Sequence, residues 1–381
     1  MKVAIIEPHL VDYTGHYYSF VSELKRGFEE MGDEVEVFLL AHSEGCIRDR
    51  KLMLPWKNSK GNILQRYFCQ IKDIAKVHKL LKGIQRDSDL LIFTTADNMT
   101  LIGGITILKT TKPLFLYFHW LRPFFNPIRK TLKLLQLSQN ISKKEIFFLT
   151  PANVSQDILQ SSFFKNIKIF SEAPYPLTPR SKAKEVFHSH EFYLAYLGDA
   201  RIEKHFLKLT ELIKRASDGI KYIVQCNPPS PGKYEPEIEV EKNCLKKMGR
   251  ENLILIESPP PSNEYYEMFT KSSLIWCLYD AEAYKDRISG ILLEAWVLGK
   301  PVLTTAGTWM ARQVEKYGGG IILEDLEIDN ILKAIETIKT NYQKFSAEAL
   351  NAGKALYENN NGVALAKFIK QILISENKRE K

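Results

Sequence analysis

The sequence predicts an α/β protein of two consecutive doubly wound domains, each a parallel sheet covered by helices. Three observations carry this prediction. Short β-type runs alternate with longer amphipathic stretches from end to end. A charged, proline-containing break interrupts the alternation at residues 172–190, and the same alternation then restarts. Strands that alternate with helices at this spacing build parallel sheets with both faces covered. A length of 381 residues holds two or three domains of roughly 100–200 residues.

In the first half, β-type runs stand at 2–6, 34–40, 90–94, 114–118 and 146–149. Between them, 18–31 and 63–84 repeat apolar residues at three- and four-residue spacing, the pattern of an amphipathic helix. Pro174, Pro176 and Pro179 fall in the break. Proline removes a backbone donor and disfavours helix before it, so the segment reads as an interdomain linker. In the second half, strand-like runs follow at 192–197, 221–226, 253–256, 273–278, 301–304 and 321–323, with helix-like segments at 205–216, 263–271 and 291–298. From 328 to about 375 the composition is helical throughout. The expected division is an N-terminal domain at 1–175, a linker at 176–190, a C-terminal domain at 191–358 and a final helix at 359–381. No short-period repeat and no low-complexity tract is present.

Composition narrows the class further. Hydrophobic residues make up 45% of the chain, enough for ordinary cores, and the charge is too balanced for a disordered tail. Lys and Arg total 53 against 45 Asp and Glu, a mild +8 that permits an acidic partner without demanding one. The five cysteines are odd in number, widely spaced and without a C-x-x-C. That excludes a disulfide scaffold and a standard zinc knuckle, and suits a reducing compartment. Glu7 and Pro8 arrive before an apolar signal core can form, and no apolar run reaches the ~18 residues that span a bilayer. The expectation is a cytoplasmic protein, with peripheral contact to a membrane left open.

In sheets of this kind ligands bind outside the carboxyl ends of the strands, so chemistry is sought in the loops that follow them. The cleft between two such domains is the expected ligand site. The most informative segment is Asp286-Arg287-Ile288-Ser289-Gly290-Ile291-Leu292-Leu293-Glu294-Ala295, followed by Leu298-Gly299-Lys300-Pro301-Val302. Ser289 can cap a helix, and Gly290 leaves its first turn open to close approach. A helix start presents unpaired N–H groups at the positive end of the dipole, which suits phosphate. Glu294 lies a turn further in, where a carboxylate can accept two hydroxyl hydrogens from a ribose. Gly299 ends the helix and Pro301 opens the next strand. The plain alternative is a loop, a capped helix and a solvated carboxylate.

This segment resembles the retaining glycosyltransferases of family 4, which have the GT-B fold of two Rossmann-like domains facing each other across a cleft. Their mark is two acidic residues with seven between them, a small-residue helix and a Gly-x-Pro-Val strand. Asp286 and Glu294 stand at that spacing, with Asp in place of the usual Glu at the first position. A second match lies at Tyr196-Leu197-Gly198-Asp199-Ala200-Arg201-Ile202-Glu203-Lys204. By resemblance, Gly198 belongs to the donor-binding turn, and Arg201 and Lys204 bind the donor's diphosphate. Relatives carry Gly after that Lys, where this chain has His205.

Further roles follow from the resemblance. Gly15, in Asp12-Tyr13-Thr14-Gly15-His16-Tyr17-Tyr18, approaches the donor phosphates, and His16 is on the acceptor side. His119, at the end of an N-domain strand, joins Asp286 near the transferred sugar. The loop Ile256-Glu257-Ser258-Pro259-Pro260-Pro261 meets the base through its backbone. The fold implies no cofactor and no required metal, so Asp97-Asn98 and Asp87-Ser88-Asp89 are left without a metal role. It further implies a nucleotide-sugar donor, a glycan or lipid-linked acceptor, and retention of anomeric configuration, as in surface polysaccharide synthesis. Two alternatives stay open: a sugar-nucleotide epimerase of the same fold, or a non-catalytic scaffold.

The charge surplus is local. Between Cys46 and Arg86 stand eleven basic residues and two acidic ones, interleaved with Leu52, Leu54, Trp56, Ile63, Leu64, Tyr67 and Phe68. That pattern suits an anionic lipid surface. A solvated helix face is the plain alternative, and a nucleic-acid surface is the weaker competitor, because no nucleic-acid motif accompanies it.

Overall fold

The computed structural model describes residues 1–7, 10, 15–40, 51–52, 63–96, 112–119, 146–152, 168–177, 191–216, 219–229 and 233–379. The chain divides into two compact units, Met1–Thr178 with Asn360–Lys381, and Pro179–Asn359.

The first unit is built on strands β1 (Lys2–Glu7), β2 (Glu34–Leu40), β3 (Lys51–Leu52), β4 (Leu90–Phe93), β5 (Leu114–Tyr117), β6 (Ile146–Leu149) and β7 (Lys168–Phe170). They form one parallel sheet in the order β3-β2-β1-β4-β5-β6-β7. The central strands read Leu-Leu-Ile-Phe, Leu-Phe-Leu-Tyr and Ile-Phe-Phe-Leu and are buried along their whole length. Strands covered on both faces need such continuous apolar runs rather than alternation. Helix α1 (Gly15–Glu30) starts three residues before the expected 18 and turns Phe20, Val21, Leu24 and Phe28 into the core. Helix α2 (Ile63–Asp87) buries Val77, Leu81 and Ile84 and exposes Lys76, Lys79, Lys82 and Arg86.

The second unit has strands β8 (Tyr193–Tyr196), β9 (Lys221–Gln225), β10 (Leu253–Ile256), β11 (Leu274–Cys277), β12 (Val302–Thr305) and β13 (Gly320–Leu323). These too are parallel, in the order β10-β9-β8-β11-β12-β13. Its helices are α3 (Phe206–Arg215), α4 (Pro236–Met248), α5 (Ser262–Lys271), α6 (Ala281–Tyr284), α7 (Gly290–Val297), α8 (Trp309–Tyr317), α9 (Ile328–Thr340) and α10 (Tyr342–Asn359). Gly353 of α10 lies against the Trp296 carbonyl of α7, so closely that a Cβ there would come within 2.2 Å of it. Helix α11 (Gly362–Arg379) belongs to the first unit and packs on α1, with Leu365, Ala366 and Ile369 joining that unit's core. Lys370 pairs with Asp33 at 2.5 Å, and Lys168 with Glu376.

Five of these strands and helices lie outside the expected runs, one of them α8, which buries Met310, Ala311 and Val314. The edge strands β3 and β7 have two and three residues and begin with lysine, too short and too polar for a strand signal. Helix α4 buries Ile238 and Leu245 and turns most of its surface outward, so its apolar stripe is thin. Helix α6 is a single turn started by Asp280, whose side chain accepts from the Ala283 amide. Residues 178–190 of the expected linker, and 46–50 and 53–62 of the basic stretch, lie outside the described residues.

The two sheets share one plan. Strand order reverses between β1 and β4 in the first unit and between β8 and β11 in the second. Chains leave those neighbouring strands in opposite directions, opening a crevice at their carboxyl ends.

Candidate functional site

At the carboxyl end of β8 the chain turns through Gly198, whose φ of +100° lies in the region open to glycine. A Cβ at this position would stand 3.0 Å from the Lys204 Nζ, so glycine also makes room for the ammonium. Arg201 donates to Asp199 Oδ2 through Nε at 2.6 Å, and its Nη2 lies at the same distance. Lys204 Nζ reaches the other oxygen, Oδ1, at 2.5 Å. One carboxylate thus holds both predicted diphosphate cations. Burial of Asp199 opposes its charge, but Lys204 and Arg201 outweigh burial and hold its carboxyl well below the usual range. Lys204 is itself buried, and the loss of water lowers its pKa against the pull of Asp199.

A short 3-10 turn, Ile202–Lys204, delivers His205 in the left-handed conformation, with φ +50° and ψ +43°. This is the position where the resemblance leads one to expect glycine, and the backbone gives the reason. A side chain there costs about 1–2 kcal/mol. Its Nδ1–H donates to the Leu278 carbonyl at 3.1 Å, which offsets part of that cost. Burial also lowers the His205 pKa.

Helix α7 begins as the sequence indicates. Ser289 caps it, its Oγ accepting from the Leu292 amide at 3.4 Å, and Gly290 and Ile291 form the first turn. Glu294, half-buried one turn on, accepts a hydrogen bond from the Tyr265 hydroxyl at 2.8 Å. Asp286, in the loop before the helix, lies 3.8 Å from Arg312 of α8. Arg287 pairs with Glu203 at 2.8 Å and stacks over the Tyr284 ring at 4.7 Å.

These contacts join the two nominated segments into one constellation. Glu203 spans them, touching Arg201 at 3.5 Å and Arg287 at 2.8 Å. The Asp280 amide donates to the Glu203 carbonyl at 2.8 Å, and the Trp276 indole donates to the Lys204 carbonyl at 3.2 Å. The cause is topological: β8 and β11 are neighbours at the switch point, so their following loops lie side by side. Asp199, Glu203, Arg287 and Tyr265 carry no role in the sequence reading. The first three sit inside the quoted segments, where their pairing is invisible; Tyr265 had no signal at all.

The first unit gathers different chemistry at its own switch point. Glu7 is fully buried at the end of β1 and accepts from the Thr94 and Thr95 hydroxyls at 2.7 and 2.6 Å. His119 follows β5 and is ringed by aromatic side chains, with Phe20 at 5.1 Å, Tyr117 at 5.2 Å, Tyr175 at 6.0 Å and Tyr17 at 6.3 Å between ring centres. Gly15 and His16 are the first two residues of α1; the loop residues 11–14 before them lie outside the described residues. Asp97 and Asn98 also lie outside, and Asp89 bonds the Lys2 amide at 2.9 Å. Among the described residues, no three His, Cys, Asp or Glu side chains are grouped as metal ligands.

No protein-family model and no curated protein matches the chain. Solved structures do. A sucrose-phosphate synthase from Thermosynechococcus elongatus superposes with a TM-score of 0.70 at 12% identity, covering 99% of both chains. Anabaena HepE, in complex with UDP and glucose, superposes at 0.66 and 14% identity, covering 97% of this chain and 99% of its own. WaaG, a glycosyltransferase involved in lipopolysaccharide biosynthesis, does so at 0.64 and 15%, with coverage of 97% and 99%. The fold is GT-B. At these identities the likeness establishes the fold, and the GT-B reading of the sequence holds at that level. HepE has also been solved with UDP-glucose.

Proposed function

We propose that the chain is a nucleotide-sugar glycosyltransferase whose second unit holds the donor and whose first unit meets the acceptor. One observation carries the reading. The Arg201–Lys204 cations and the Ser289-capped start of α7 meet at the switch point of the second sheet, tied by the Glu203–Arg287 pair. Two cations beside a helix start suit a nucleoside diphosphate.

In this reading Arg201, Lys204 and the amides of 289–291 take up the charge that grows on the departing diphosphate, in place of a metal. Glu294 binds the ribose hydroxyls, the 257–261 loop meets the base, and Asp286 and His119 position the sugar. Transfer retains anomeric configuration. The bond from the anomeric carbon to the diphosphate breaks, and the acceptor oxygen bonds on the same face. Its proton passes to the departing phosphate oxygen. The acceptor is a glycan or a lipid-linked sugar of a surface polysaccharide. The exposed lysines of α2 bring the protein to an anionic membrane from the cytoplasmic side; among the described residues, no helix is long and apolar enough to cross one.

Incubation with a panel of nucleotide sugars, with and without lipid-linked glycan acceptors, tests the proposal. Release of nucleoside diphosphate together with a glycosylated acceptor supports it. A changed sugar without net diphosphate release identifies an epimerase instead, and no turnover with any donor identifies a scaffold.

A further inference from the structure

We infer that Tyr265 is a positioning residue that makes the donor site selective for ribonucleotides, by fixing the carboxylate of Glu294; this rests on the proposed role of Glu294 at the ribose. Tyr265 lies in the first turn of α5, directly after the 257–261 loop, and donates its phenolic hydrogen to Glu294 Oε2 at 2.8 Å. The two residues are 29 positions apart and come from different helices. The ring of Tyr265 is set edge-on against Phe269, with centres 5.2 Å apart and planes at 87°, and Phe269 is fully buried. The phenol is therefore held in place before any ligand arrives.

A glutamate side chain has several rotamers, and ordering it costs free energy that binding must otherwise supply. A hydrogen bond to a charged acceptor is about twice as strong as a neutral one. Tyr265 thus orders the carboxylate in the empty site. A carboxylate offers about four acceptor directions, of which the phenol takes one. Vicinal ribose hydroxyls present two donors at a fixed separation, so they profit from an oriented carboxylate more than a single hydroxyl does. The prediction is selectivity for the ribose diol, set by a tyrosine that is not itself required to touch the sugar.

The test uses calorimetric binding of whichever of UDP, GDP and ADP binds the full chain most tightly, beside its 2′-deoxy and 3′-deoxy forms. The wild type is expected to prefer the ribonucleotide about tenfold or more over either deoxy form. Tyr265→Phe keeps the ring on Phe269, and is expected to narrow that preference to about threefold or less. In a Glu294→Ala background the same change is expected to do nothing further, because the phenol acts through the carboxylate. Three results overturn the inference: an unchanged preference in Tyr265→Phe, an equal loss for all three ligands, or an added loss in the Glu294→Ala background. Failure of the wild type to bind any of the three diphosphates overturns the donor-site reading itself, and this inference with it.

Discussion

The two sheets share a strand order and differ at the place where that order reverses. The second unit crowds its switch point with charge: Asp199, Arg201, Glu203, Lys204 and Arg287 form a continuous ion-pair chain. The first unit instead buries one carboxylate, Glu7, under two threonine hydroxyls, and rings His119 with aromatic side chains. A charged crevice suits a diphosphate, and a weakly polar aromatic surface suits a neutral sugar. In the proposed function one architecture would serve two ligand chemistries through the residues at its strand ends, because the sheet fixes where loops go and leaves their chemistry free.

The comparison breaks first at Arg201. Arg201→Ala is expected to lower kcat about 100-fold or more, the scale of a lost preorganised donor to a leaving group, and to lower the unfolding temperature less than Asp199→Asn does, because Lys204 still pairs with Asp199. Steady-state kinetics beside thermal melts check it, and normal turnover places the diphosphate elsewhere.

Asp199→Asn tests the pairing from the other side. The substitution leaves the buried Lys204 ammonium without its carboxylate, which is expected to cost about 3 kcal/mol, read by urea unfolding. Because the folded pKa of Asp199 is depressed, its contribution is present above the ordinary carboxylate range and is lost as pH falls toward the lower folded value. The wild type should therefore lose stability between about pH 5 and pH 3 more steeply than Asp199→Asn. Parallel acid limbs would show that Asp199 is not held by its two cations.

His119→Phe separates the two units. It preserves ring packing against Phe20 and Tyr117 and removes the imidazole nitrogens. Turnover is expected to fall about tenfold, the worth of one hydrogen bond, while nucleoside diphosphate affinity stays as in the wild type. Weakened diphosphate binding would move His119 to the donor side.

The smallest effect is expected at His205. His205→Gly relieves the positive-φ cost and loses the bond to Leu278, so its stability should stay within about 1 kcal/mol of the wild type. His205→Ala keeps the strain and loses the bond, so it should melt below the glycine variant.

Much of the fold was legible because buried parallel strands are continuous apolar runs. Strands β2, β6 and β10 fall on the expected residues, and most others differ by one residue at an end. Edge strands such as β3 and β7 escaped because pairing with a neighbour, rather than their own composition, makes them strands. At the candidate site, the cap at Ser289 was legible since it depends on residues three apart. The partnership of Glu203 with Arg287, 84 residues away, was not.

The sequence by itself determined the alternation, the break, the capped helix start and the basic stretch from Cys46 to Arg86. Each is a matter of neighbours along the chain, where periodicity and spacing act directly. Tertiary structure alone decided that Asp199 holds both Arg201 and Lys204, that His205 occupies a backbone region glycine would fill, and that Tyr265 reaches Glu294. Those outcomes depend on sheet order, which places β8 beside β11, and on a turn whose sign of φ no side chain at that position announces.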